Sequence, residues 1–153
     1  MIRTDREYRD ALRRLDEARA VAEVQSRSLQ ASGLPTAHLE LVMSPLAAMQ
    51  EQIEGEISWY ERARGGDIRP VGRLSDVGAS LIALRIARGL TQRQLAERLG
   101  VNEAQVSKDE RNDYRGITVE RAQRVLDALD GSVTVTLTAQ QGRETEAASL
   151  HAR

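Results

Sequence analysis

The chain has 153 residues, 41% hydrophobic and 29% charged, with a formal net charge of −1 and no cysteine. It is long enough for one compact domain with a helical extension. The composition excludes disulfides, thiolate chemistry and cysteine-based zinc sites, and no run of eighteen apolar residues is available to cross a membrane. With no apolar leader behind the N-terminus either, a reducing cytoplasm is the expected setting.

The charge is unevenly divided. Residues 1–61 sum to −4, residues 62–74 to +3, and residues 75–130 and 131–153 each to zero. The basic excess comes from Arg62, Arg64, Arg69 and Arg73. Arginine supplies 21 of the 22 basic residues, and Lys108 is the single lysine.

Thr4-Asp5-Arg6-Glu7 has capping-box spacing, in which the hydroxyl receives a backbone amide and the glutamate reaches back. Tyr8, Leu15, Ala22 and Leu29 then recur every seven residues, a stripe along one face of a long helix that Gly33-Leu34-Pro35 ends. A short helical piece precedes Ser44-Pro45, where serine can cap and proline suits a first turn. From there Leu46, Met49, Ile53, Ile57 and Tyr60 keep helical spacing, so residues 1–66 are expected to form an N-terminal helical hairpin. Residues 67–74 form a basic linker containing Pro70.

A helix is expected from Ser75, with Val77, Leu81 and Leu84 on one face, up to Gly89. Thr91-Gln92-Arg93-Gln94 is a second capping box and opens a helix over 92–99. Gly100 permits a sharp turn, Val101 is placed to plug the angle, and Asn102 caps the next helix over 103–111. Leu95, Ala96, Leu99 and Val106 supply the inward side, while Arg93, Arg98, Gln105 and Lys108 are free to point outward. Thr118 caps a last helix with Val119, Ala122, Val125, Leu126 and Leu129. Two short helices held rigidly across a glycine turn can set the second into the major groove of DNA, where base edges carry a distinguishable pattern.

After Asp130-Gly131 the period changes. Residues 132–138 alternate Val133, Val135 and Leu137 with threonine, which is strand spacing. A lone strand cannot satisfy its own backbone, so its partner is expected from a second subunit. Residues 139–153 are polar without period and are expected to be a disordered tail.

Thr91-Gln92, Leu95-Ala96, Leu99-Gly100-Val101, Val106-Ser107 and Glu110 stand at the spacing of the Cro/lambda-repressor (Xre-type) helix-turn-helix family, which this stretch resembles over about residues 75–130. The resemblance implies a five-helix lambda-repressor-like domain over 75–131, and with the hairpin before it and the dimerisation strand after it the expected fold is mainly α. It makes Gln92 a phosphate contact, Glu103, Ala104, Gln105 and Lys108 candidates for base edges, and Asn102, Ser107, Asn112 and Arg115 candidates for the DNA backbone. Gln105 suits adenine, Lys108 guanine, Ala104 a thymine methyl, and Glu103 only a cytosine amino group. It also makes Arg85 and Glu110 a structural ion pair. Asp109 departs from the family, which usually has an apolar residue there; an arginine or the Tyr114 hydroxyl is its expected partner.

Residues 6–61, with Tyr8, Ala11 and Leu12 early and Ile57-Ser58-Trp59-Tyr60-Glu61 late, are similar to the N-terminal helical part of Hig-type antitoxins. That likeness implies neutralisation of a toxin and repression of the shared operon. The expected function is a sequence-specific, dimeric regulator of double-stranded DNA, in the first place a repressor. The alternatives are an autorepressing antitoxin and a protein-interaction module that does not bind DNA. An enzyme, a metal site or a cofactor is not expected, since His38 and His151 are the only histidines. Single-strand binding would need aromatic platforms, and the chain has one tryptophan, three tyrosines and no phenylalanine.

Overall fold

The computed structural model describes residues 1–33 and 35–137. Within them the chain is helical: α1 spans Asp5–Ala31, α2 Thr36–Arg64, α3 Val77–Ala87, α4 Gln92–Leu99, α5 Glu103–Arg111 and α6 Val119–Ala128, with a 3-10 turn at Leu74–Asp76. None of these helices is long and apolar enough to cross a membrane.

Both capping boxes form. Thr4 Oγ1 accepts from the Glu7 amide at 3.2 Å, and Thr91 Oγ1 from the Gln94 amide at 3.1 Å, each with the reciprocal side-chain bond. Thr118 and Asn102 cap α6 and α5 without a reciprocal bond, accepting from the Arg121 and Gln105 amides at 3.2 and 2.7 Å.

The second hairpin helix is expected to start at Ser44-Pro45, whereas α2 runs unbroken from Thr36 with Pro45 in its interior. Proline there removes the amide that the Leu41 carbonyl would receive. The Ser44 hydroxyl donates to that carbonyl at 2.9 Å instead, so the serine repairs the helix rather than capping a new one.

α1 and α2 pack as an antiparallel pair whose seam is fully buried only near their base and half-buried beyond it. Ala11, Leu15 and Ala18 face Ile57, Tyr60 and Ala63, and Tyr8 stacks on Tyr60 with ring centroids 5.1 Å apart. Toward the tip, no described residue between 19 and 56 is buried, and Val21, Val24, Leu41, Val42 and Met49 are exposed. The base is continuous with the rest of the molecule: Ile2, Ile57, Tyr60 and Ala63 belong to the same core as Ile82, Leu95, Val106 and Leu129.

Residues 75–131 hold four α-helices, α3 to α6, behind the single 3-10 turn, where five helices are expected. After Leu129, Asp130 turns the chain through a positive φ of 51°, and residues 132–137 lack the apolar 3.6-residue period that a further helix needs. Those residues are exposed and adopt no regular secondary structure, so the expected strand is not seen among the described residues. Thr138 and the expected tail 139–153 lie outside the described residues.

Candidate nucleic-acid interface

α4 and α5 meet at Gly100, whose φ of 67° is the left-handed conformation a glycine adopts freely. The Val101 amide closes the turn on the Ala96 carbonyl at 3.0 Å. Val101 itself is 38% exposed, so it stands at the rim and does not plug the angle; Leu95, Ala96 and Val106 do.

The orientation of α5 is held by a buried ion pair. Arg85 on α3 is 3% exposed and Glu110 on α5 0%, and their contacts are bidentate: Nε to Oε1 at 2.5 Å and Nη2 to Oε2 at 2.7 Å. Arg85 also donates to the carbonyls of Leu90 at 2.7 Å and Arg3 at 2.8 Å. One guanidinium thereby joins α3, the start of α4, α5 and the segment before α1. The loop after α5 is anchored as tightly. Asp113 and Tyr114 have φ of 50° and 52°, and Gly78 on α3 leaves space for the Asp113 carbonyl, which a Cβ there would meet at 1.9 Å. Arg3 adds a bond to the Asp113 carboxylate at 3.0 Å.

Tyr114 is buried beside this network. Burial, and then the Glu110 carboxylate, push its hydroxyl pKa up. Tyr60 is likewise pushed up, to about 12, by burial and by its hydrogen bond to Asp5.

Asp109, the departure from the family pattern, finds an arginine. Its Oδ2 accepts from Arg121 of α6 at 2.6 Å, and its Oδ1 from Gln105 at 2.7 Å. The relay fixes the Gln105 amide beside the outward face of α5. Asp109→Ala will free that amide at a stability cost of no more than about 1 kcal/mol, because the ion pair is partly solvated, and a thermal melt measures it.

Ala104 and Lys108, one turn apart, are exposed, as are Asn102, Glu103, Asn112 and Arg115, while Ser107 and Gln105 are half-buried. Gln92 is also half-buried, and its Nε2 donates to Glu110 at 2.8 Å, which leaves its second N–H for a ligand. Arg98 is not free: it donates to the Ala128 carbonyl at 2.7 Å and pairs with Asp130, holding α4 to the end of α6. Arg93 pairs with Glu97.

This pairing pattern changes the electrostatics of the face. Asp109, Glu110 and Asp113 are each neutralised by an arginine from another element. On α5 and its loop that leaves Lys108, Arg111 and Arg115 against Glu103. Arg111 is a residue the sequence reading missed, although it lies one turn beyond Lys108 on the same exposed face.

Residues 81–135 match a family model described as helix-turn-helix. This segment is a helix-turn-helix domain of the Cro/C1, Xre-like type. The domain points to a DNA-binding transcription regulator. No curated protein and no solved structure matches the chain.

Proposed function

We propose that the protein is a sequence-specific repressor that binds double-stranded DNA as a dimer, with α5 in the major groove. The observation that carries this reading is the set of ion pairs that removes Asp109, Glu110 and Asp113 from the exposed charge. Lys108, Arg111 and Arg115 then dominate beside the neutral readers Ala104 and Gln105. Gln92, Asn102, Ser107, Asn112 and Arg115 serve the phosphate backbone in this account, and Glu103, Ala104, Gln105 and Lys108 the base edges.

In the same reading residues 1–66 are a helical arm, 67–74 a basic linker, 75–131 the reading domain and 132–138 a strand completed by the second subunit. The exposure of Val133, Val135 and Leu137 supports that last role. A dimer is also what specificity requires, since one reading helix spans few base pairs; two related by a two-fold axis read half-sites about 34 Å apart.

Equilibrium binding to the DNA upstream of the protein's own gene, against random duplex and over a range of salt, tests the proposal. Tighter binding to the upstream fragment is expected, with log K falling linearly with log salt. Equal affinity for both duplexes, or insensitivity to salt, overturns it. Removing residues 132–138 should give a monomer by sedimentation.

A second reading, an antitoxin that neutralises a toxin and represses its own operon, is favoured by the hairpin tip. Its apolar side chains are exposed, and residues 1–61 carry −4. A basic protein with an apolar face would be complementary. A small basic reading frame beside the gene, whose product copurifies with the intact chain but not after removal of the hairpin tip, would support it.

A further inference from the structure

A cleft of about 580 Å³ lies where the base of the hairpin meets the start of α4. Arg6 of α1, Arg64 of α2, Gln92 of α4 and Glu103 of α5 all line it. Arg6 is exposed and has no ion-pair partner among the described residues. Arg64 is 64% exposed and only 4.0 Å from Asp5, whose same oxygen already accepts from the Tyr60 hydroxyl at 2.7 Å. A third arginine on the wall, Arg3, has its Nε buried without a hydrogen-bond partner.

Guanidinium groups bind phosphate through parallel N–H donors, and the free N–H of Gln92 adds a neutral one. The carboxylates of Asp5 and Glu103 also line the cleft, so its spare positive charge is small. That balance disfavours a polyanion such as a nucleoside triphosphate. It suits a phosphodiester, which carries one negative charge and arrives as part of a longer ligand. The cleft also adjoins the starts of both α4 and α5, past which a duplex read by α5 must run.

We propose that this cleft receives a phosphodiester of the DNA backbone, held by Arg6 and Arg64 from the hairpin together with Gln92. The inference rests on the DNA-reading function above and makes the base of the hairpin part of the interface.

The test compares the wild-type chain with the double variants Arg6→Ala/Arg64→Ala and Arg6→Lys/Arg64→Lys, once a thermal melt shows them folded. Fluorescence anisotropy follows binding of the preferred duplex and of a random one from 50 to 200 mM salt, a range over which phosphate contacts are weakened strongly. The alanine pair is expected to lower affinity for both duplexes by a similar factor. It should also make the salt slope shallower by about 1–2, at about 0.9 per phosphate contact. The lysine pair should restore much of the slope.

A folded alanine pair with unchanged affinity and slope overturns the proposal. If inorganic phosphate raises the melting temperature of the wild-type chain but not of the alanine pair, and DNA binding is the same for both, the cleft belongs to a free phosphate compound and the proposal also fails. A wild-type chain that binds no duplex even at low salt removes the DNA-reading function itself, a distinguishable result.

Discussion

Glu110→Ala will destabilise the fold by about 3–5 kcal/mol, the cost of leaving one partner of a buried ion pair charged and alone. Glu110 is fully buried and accepts three bonds, two from Arg85 and one from Gln92. Its removal leaves the Arg85 guanidinium with two unmatched donors in the interior. Against a typical domain stability of about 5–15 kcal/mol the loss is a large fraction. Urea unfolding followed by circular dichroism measures it, as a lower midpoint with the slope retained. A change below about 1 kcal/mol would show that the pair does not hold α5 to α3. Replacing both partners by Arg85→Met and Glu110→Leu should recover only part of the loss, because the Leu90 and Arg3 carbonyls lose their donor as well.

The second large effect belongs to Gly78. In an ordinary exposed helix, glycine to alanine stabilises by about 1 kcal/mol. Here the sign reverses, because the new Cβ would meet the Asp113 carbonyl oxygen at 1.9 Å and its carbon at 2.8 Å. Both are backbone atoms, in a loop where two consecutive non-glycine residues already hold positive φ. Gly78→Ala should therefore cost about 1–3 kcal/mol or more, the range for overpacking. DNA affinity should fall further than stability alone explains, since the displaced loop carries Asn112 and Arg115 and sets the end of α5. Gly55→Ala is the control: nothing lies within 4 Å of its Cβ position in α2, and a small gain in melting temperature is expected. Equal responses at the two glycines would contradict the tight approach of α3 to this loop.

Much of the helical framework was legible in the sequence because its signals are local. Capping boxes at Thr4 and Thr91, the glycine turn at Gly100 and the caps at Asn102 and Thr118 each depend on residues within one helical turn. The ion pair of Arg85 and Glu110 was also legible, through the resemblance of the motif. What was not legible depends on distant partners. Proline signals a helix start, and only the bond from Ser44 to the Leu41 carbonyl shows why Pro45 sits inside α2. Arg98 looked free because the carbonyl it binds lies at the far end of α6. The alternation over residues 132–137 has strand period, but a strand needs a second strand, and the described residues contain none. Arg64 stood out only as part of the basic run over 62–74 and Arg6 carried no local mark, since the cleft they share is made only when the hairpin base joins the core of the helix-turn-helix domain.

Selection of bound duplexes from a randomised pool tests the central claim most directly, that the outward face of α5 reads base edges. The wild-type chain should enrich two half-sites about one helical turn apart, and Lys108→Ala should lose the preference at one base pair in each, a discrimination of about 1–3 kcal/mol. A wild-type pool that binds yet returns no sequence pattern would contradict the claim.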